Sequence, residues 1–168
     1  RLWVLDGIGQ VLRGLGAFAG ARSTWSAVLS QKRQRGDVLG VAITAGNLAR
    51  LDFELHDVAA ATHLTREMLS QHADQLPLYT TLRHRTLLLE ALLAGSADTA
   101  EIANVQRELA AEHAKATSGH PLRGYAAVVL ARAAAISGQA SVGELLGEAL
   151  EALTFDAHVE RLYERAIG

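Results

Sequence analysis

Apolar residues recur along this chain at the three- and four-residue spacing of one helix face, and short polar or glycine-containing breaks separate these stretches. Ala and Leu dominate and β-branched runs are almost absent, so no strand is expected. The pattern predicts an all-α chain with nine helices. Their expected ranges are 2–15, 20–34, 38–55, 58–72, 78–94, 99–117, 122–137, 142–153 and 157–166.

A break with a small residue returns at nearly constant spacing. Gly16, His56, Gly95 and Gly138 take the same place in four segments, which gives steps of 40, 39 and 43 residues. Periods of this length indicate stacked helical hairpins that form an array. We expect one array over 1–168, with repeats at about 1–35, 36–75, 76–117 and 118–153 and a capping helix at 155–167.

The apolar residues of the third helix are expected to pack as one stripe against the fourth helix. This stripe consists of Ile43, Leu48, Leu51 and Leu55. Small residues are expected where helices approach most closely, and the positions predicted for this role are Ala21, Ala61 and Gly143.

Segment 36–69 has a Gly-Asp pair before its first helix, a Leu and a small residue within that helix, a polar turn, and an Ala followed by an apolar pair in its second helix. These residues are Gly36-Asp37, Leu48-Ala49, His56-Asp57, Ala61 and Met68-Leu69. In this pattern the segment resembles a tetratricopeptide repeat of the roughly 40-residue kind, and the resemblance extends over nearly the whole chain. It implies a right-handed superhelix of about four hairpins, with the first helices lining a concave groove.

Repeats of this length resemble those at the carboxyl end of multidomain bacterial regulators, such as signal-transduction ATPases and activators related to the maltose regulator. The resemblance implies a non-catalytic interaction module that binds a peptide or a partner domain in its groove. The alternative is an effector-sensing domain that binds a small ligand. The chain starts at Arg1 without an initiator Met, and we expect it to be one domain of a larger regulatory protein.

Composition argues against several other classes of protein. A formal net charge of −2 argues against direct nucleic-acid binding, which usually needs a basic excess. The chain has no apolar run of the roughly 18 residues that span a membrane. It has no Cys, which removes disulfides, zinc-thiolate sites and thiol catalysis and suits a cytoplasmic protein. No cofactor is expected.

Residues beside the packing stripe of each first helix are expected to point into the groove. Arg50 and Arg132 each follow a Leu-Ala pair, and Phe53 and Tyr125 lie near them in the sequence. Guanidinium groups stacked beside aromatic rings suit an acidic peptide or partner. Alternatively, these arginines are solvated or pair with Glu54 and Asp52. A second copy of the chain is a further candidate partner. The residues assigned to the groove are Trp3, Gln10, Arg13, Arg50, Phe53, Glu54, Arg85, Tyr125 and Arg132, with Asp6, Leu89 and Val128 beside them.

No catalytic residue and no metal site is predicted. His56, His63 and Glu67 have spacings that suit a metal, but His56 lies in a turn and is expected to point to water. Arg107 and His113 match the loose spacing of the nucleotide-binding helical ribonucleases, without any further polar signature around them. No nucleophile is visible beside a base, so an enzyme is not expected.

Overall fold

The computed structural model describes residues 2–95 and 97–152, and within these ranges the chain is helical and contains no strand. A 3₁₀ turn, Ala73–Gln75, follows the fourth helix. The α-helices are α1 (Leu2–Gly14), α2 (Phe18–Gln34), α3 (Val38–Glu54), α4 (Val58–His72), α5 (Leu78–Ala94), α6 (Thr99–His113) and α7 (Pro121–Ile136), followed by a helical segment, α8 (142–152).

The all-α prediction is confirmed for the described residues. Helices α4 and α5 have the predicted bounds, whereas α6 ends at His113, four residues before its predicted end. The ninth helix and the capping helix, predicted at 157–166 and 155–167, lie outside the described residues, as does Leu153.

Aspartate side chains cap the amino ends of three helices. The carboxylate of Asp37 accepts from the Gly40 amide at 2.9 Å at the start of α3. Asp57 accepts from the Ala60 amide at 3.1 Å at the start of α4, and Asp98 caps α6 in a similar way. Each cap satisfies an amide that has no partner within its own helix, so the short sequence breaks also set where the helices begin.

The turns at the carboxyl ends of three first helices share one backbone conformation. Gly16, His56 and Gly138 have φ angles of 74°, 63° and 69°, in the left-handed region. Gly95, the fourth predicted member, has a φ of −96° and an extended ψ. Three of the four segments therefore share a turn geometry as well as a sequence position.

Contacts between Cα atoms divide the chain into two compact units, Arg1–Ser96 and Ala97–Gly168. In the first unit each helix from α1 to α5 packs against the next one. In addition, α1 contacts α3 and α3 contacts α5, so the first helices of successive hairpins form one layer. This is the packing of a helical repeat. In the second unit α6 packs against α7, and the single array over 1–168 stays a prediction.

The core of the first unit surrounds Trp25, which is fully buried and donates from Nε1 to the Asp6 carbonyl at 3.2 Å. Leu48 and Leu51 of the predicted stripe are buried. Ile43 and Leu55 are 40% and 38% exposed, so their assignment to the buried stripe is wrong. The predicted stripe was too long at both ends, because a neighbouring helix covers only its two central residues, Leu48 and Leu51.

Only some of the small residues predicted at close helix contacts lie at such contacts. Ala21 and Ala61 are fully buried, but Gly143 is exposed with no atom near its missing side chain, so its predicted role is wrong. Gly9 lies against the indole ring of Trp25 instead.

Candidate functional site

Helices α1, α3 and α5 lie in succession, and polar side chains connect them across this layer. Gln10 Nε2 donates to Asn47 Oδ1 at 2.9 Å. One Nη of Arg83 donates to the same oxygen at 2.7 Å. The Asn47 carboxamide therefore bridges the first and third of these helices.

Ion pairs form a second connection across the same layer. Arg13 donates to both carboxylate oxygens of Glu54. Arg50 donates from Nε to Glu54 at 3.1 Å and from Nη1 to Glu90 at 2.8 Å. We refer to the connected side chains as the polar ladder. Its members are Gln10, Arg13, Asn47, Arg50, Glu54, Arg83 and Glu90.

Charges within the polar ladder influence one another. The hydrogen bond from Arg13 lowers the pKa of Glu54, against the opposing effect of burial, and the charges of Arg13 and Arg50 lower it further. Burial lowers the pKa of Arg83, and the nearby charges of Arg13 and Arg50 act in the same direction. The Arg50 guanidinium also lies 5.9 Å from the centre of the Phe53 ring.

The ladder carries a net positive charge. It contains three guanidinium groups, those of Arg13, Arg50 and Arg83, and two carboxylates, those of Glu54 and Glu90. Within the part of the chain that the structure describes, Arg83 donates to an amide oxygen and forms no ion pair with a carboxylate. The unbalanced charge is therefore located at Arg83.

A recess of about 580 Å³ opens between the amino ends of α1 and α3 and the carboxyl end of α2. Large apolar side chains stand exposed on its walls: Trp3 is 77% exposed, Leu39 43% and Ile43 40%. We call this feature the apolar recess. Its exposed lining is mainly apolar, and Arg35 and Asp37 also line it.

A buried ion pair closes the floor of the apolar recess. Lys32 Nζ donates to an Asp6 carboxylate oxygen, to the Gly40 carbonyl at 3.2 Å and to Thr44 Oγ1 at 2.9 Å. The Thr44 hydroxyl donates to the other Asp6 oxygen at 2.7 Å. An ammonium group has three donors, and all three are used here. The floor is consequently neutral, and it offers a ligand no spare donor from Lys32.

The apolar recess and the polar ladder follow one sequence register. Trp3, Ile43 and Arg83 are separated by 40 residues at each step and take the same position on three successive first helices. The Arg83 guanidinium lies against Gly46, one turn beyond Ile43 on α3. The same face of the first unit therefore presents apolar walls and, farther along, the unbalanced positive charge.

The structure brings together five of the nine residues assigned to the groove from the sequence. Gln10, Arg13, Arg50 and Glu54 belong to the polar ladder, and Phe53 lies under Arg50. The alternative that Arg50 pairs with Glu54 is therefore confirmed. Asp52, the other carboxylate named for it, instead forms an ion pair with Arg22 at 2.6 Å.

The other assigned residues lie elsewhere. Trp3 lines the apolar recess, and Arg85 is half-buried on α5. Tyr125 is half-buried and Arg132 is exposed, both on α7 in the second unit, so the stacking of Arg132 on Arg50 stays a prediction. Two neighbours named with them were wrong: Asp6 is buried in its ion pair, and Leu89 is fully buried in the core.

Sequence reasoning missed three members of the polar ladder, namely Asn47, Arg83 and Glu90. A step of 40 residues from Gln10 through Arg50 leads to Glu90, and the same step from Trp3 leads to Arg83. The 40-residue step was visible in the sequence. However, the third repeat was aligned on Gly95, 39 residues after His56, which is one residue too early.

Two further sets of residues were considered in the sequence, a metal site at His56, His63 and Glu67 and a ribonuclease-like pair at Arg107 and His113. Glu67 accepts from Arg33 at 2.7 Å, and no group of three metal-binding side chains occurs within 2–95 and 97–152. In the second unit His113 is buried with Nε2 3.3 Å from Glu148, whereas Arg107 is exposed. These arrangements give no support to a metal centre or a ribonuclease pair.

The chain matches none of the protein-family models with which it was compared, and a comparison with curated proteins gives no match either. None of the helices in the described ranges has the length and hydropathy that crossing a bilayer requires.

Proposed function

We propose that this chain is a non-catalytic protein-interaction module of the tetratricopeptide type, and that it binds a peptide or partner segment along α1, α3 and α5. In this proposal the module belongs to a larger cytoplasmic regulatory protein. The observation that carries the proposal is the apolar recess, where Trp3, Leu39 and Ile43 are exposed beside an already satisfied ion pair. Exposed aromatic and aliphatic side chains around a concavity are typical of the anchor pockets of protein interfaces.

The recess accepts an apolar anchor residue. Most of its exposed lining is apolar, although Arg35 and Asp37 also line it, and Lys32 on its floor has used all three donors, so an apolar side chain is favoured over the floor. The recess is open to solvent along one side, which suits a side chain that projects from a longer segment.

Arg83 favours an acidic group at a second position of the partner. A carboxylate beside Arg83 would balance the net charge of the polar ladder and gain a charge-assisted hydrogen bond. The other two guanidinium groups already bind Glu54 and Glu90, so an acidic partner would compete with internal carboxylates for them. The proposed partner is therefore a segment with one apolar anchor and one nearby Asp or Glu.

Synthetic peptides test this proposal. An array would combine Leu, Phe or Trp with Asp or Glu at varied separations, and binding would be measured by fluorescence anisotropy. We expect Trp3→Ala and Ile43→Ala each to weaken binding on the order of tenfold. Arg83→Gln is expected to weaken binding and to reduce its dependence on salt, because a screened charge contact is removed.

Matched controls are available on the second unit. Ile136→Ala removes an exposed side chain of similar size, and Arg107→Gln removes an exposed guanidinium, so neither should change the affinity. The proposal fails if no peptide binds, or if the controls weaken binding as much as the recess variants do. Binding of a small metabolite in place of peptides would instead support the effector-sensing alternative.

A further inference from the structure

A second cavity, of about 420 Å³, is lined by residues from the carboxyl-terminal parts of α2 and α4 and from the start of α3. The packed core forms its floor, because Val41 and Met68 line it and are only 4% and 1% exposed. The volume lies in the lower part of the range of small-molecule sites. We call this feature the α2–α4 cavity. It shares no lining residue with the apolar recess.

Two side chains of opposite charge line the α2–α4 cavity. Arg33 donates to Glu67 Oε1 at 2.7 Å. A guanidinium group has five N–H donors, and a carboxylate has two oxygens. Among the residues that the structure describes, this bond is the only one that either side-chain head group makes. Four donors of Arg33 and Oε2 of Glu67 are therefore available to a ligand.

A buried polar atom in the same cavity also lacks a partner. His72 lines the cavity one turn after Met68 on α4. Its Nδ1 is buried and makes no hydrogen bond within the described part of the chain. Buried polar atoms of native proteins nearly always have a partner, so a bound group is expected beside this nitrogen.

The ion pair favours a ligand that carries both signs of charge. A lone anion at Arg33 would compete with Glu67, and a lone cation at Glu67 would compete with Arg33. A zwitterion supplies a carboxylate to one and an ammonium group to the other, so both side chains stay paired. Arg33 and Glu67 are 44% and 26% exposed, and a pair this exposed contributes little to stability, so replacing their bond costs little.

We propose that the α2–α4 cavity binds a free α-amino acid with a neutral polar side chain, of the chemical type of glutamine. Its carboxylate binds Arg33 and its ammonium group binds Glu67. Its aliphatic carbons lie on Val41 and Met68, and its side-chain amide pairs with His72 Nδ1. A carboxamide has donors and an acceptor, so it serves either tautomer of the imidazole ring. This site is separate from the proposed peptide site, and neither depends on the other.

Isothermal titration calorimetry of the chain with glutamine and its analogues tests the proposal. N-acetylglutamine lacks the ammonium charge and the α-amide of glutamine lacks the carboxylate. Each should bind on the order of tenfold more weakly than glutamine, because each loses a charge-assisted hydrogen bond. Norleucine has a side chain of similar length without the amide and should also bind more weakly.

Variants assign each contact. Arg33→Gln and Glu67→Gln should each weaken glutamine binding on the order of tenfold. His72→Phe should remove the preference for glutamine over norleucine. Arg107→Gln and Glu108→Gln, at exposed neighbouring positions on α6, are the matched controls and should bind glutamine as the wild type does. Circular dichroism would verify that every variant is folded.

The amino-acid site and the peptide site can be told apart. Trp3→Ala alters the apolar recess alone and should leave glutamine binding unchanged, while Arg33→Gln should leave peptide binding unchanged. The proposal is overturned if glutamine does not bind, or if norleucine or N-acetylglutamine binds as tightly. It is also overturned if folded Arg33→Gln and Glu67→Gln variants keep the wild-type affinity for glutamine.

Discussion

The Arg50 guanidinium donates to the Glu90 carboxylate at 2.8 Å and joins α3 to α5 between residues 40 positions apart. The same guanidinium donates to Glu54, which also accepts a hydrogen bond from Arg13 of α1. One set of ion pairs therefore connects three consecutive first helices. In a repeat protein such contacts stabilise the interface between neighbouring repeats.

The Arg50–Glu90 pair should show measurable coupling. We expect a double-mutant cycle with Arg50→Gln and Glu90→Gln to give an interaction free energy of about 0.5–1 kcal/mol, because the two side chains are only 31% and 17% exposed. Urea unfolding of the four proteins would measure it. The more exposed pair Arg33–Glu67 is the comparison and should couple more weakly. A larger value for Arg33–Glu67 would contradict the structural role given to Arg50.

His84 should make stability depend on pH. Its ring is buried, Nε2 donates to the Ala42 carbonyl at 2.9 Å, and burial lowers its pKa from 6.5 to about 4. Between these two values the unfolded chain binds a proton that the folded chain rejects, so stability falls as the pH is lowered from 6.5 towards 4. The loss attributable to this ring amounts to about 3 kcal/mol. Chemical unfolding at several pH values would measure it.

The pH effect has a matched control. His84→Leu should remove most of this slope, while His63→Leu, at an exposed position on α4, should leave it. Glu54 contributes in a different range: its pKa is lowered on folding, so its stabilising effect is lost only as the pH falls below about 4.5. An unchanged slope between pH 4 and 6.5 in His84→Leu would show that another group is responsible.

Gly9 and Gly7 should respond in opposite directions to the same substitution. A methyl group at Gly9 would overlap the ring of Trp25, so Gly9→Ala should destabilise the fold by roughly 1–3 kcal/mol. Gly7 faces open space on the same helix, and Gly7→Ala should stabilise it by roughly 0.5–1 kcal/mol through helix propensity. Thermal melting, with Trp fluorescence as the signal, distinguishes the two. Equal effects would mean that α1 does not pack on α2 in this register.

The turn at His56 should tolerate glycine better than histidine. A φ of 63° is costly for a residue with a Cβ, and the equivalent positions in two other turns are Gly16 and Gly138. We expect His56→Gly to stabilise the fold by about 0.5–1 kcal/mol and Gly16→Ala to destabilise it by a similar amount. Differential scanning calorimetry would detect both changes. Stabilisation by Gly16→Ala would rule out the shared turn.

Helix positions could be predicted from the sequence because turn chemistry and apolar periodicity are local properties. Asp57 and His56 mark one break, and α4 begins where these residues indicate. The end of α6 was misplaced because residues 114–117 have helical propensity, and propensity alone does not show where a helix stops.

Contacts between helices were harder to predict, because they depend on register to within one residue. Arg85 was assigned to the groove, whereas Arg83 and Glu90, which were not assigned to it, bond to Asn47 and Arg50 of α3. The pairing of Lys32 with Asp6 was not predicted at all. The sequence separates these two residues by 26 positions, and only the packing of α2 between two first helices brings them together.

The contacts of Lys32 should determine which helices of the first unit unfold together. Its ammonium group on α2 holds the Asp6 carboxylate of α1 and the Thr44 hydroxyl of α3. If α1 detached alone, the Lys32 ammonium group would lose its carboxylate partner, and the hydrogen bonds that join Asp6 to α2 and α3 would be lost together. Detachment of α1 is thereby tied to loss of the next hairpin. The amide protons of α1 should exchange with solvent together with those of α2 and α3, as one cooperative block.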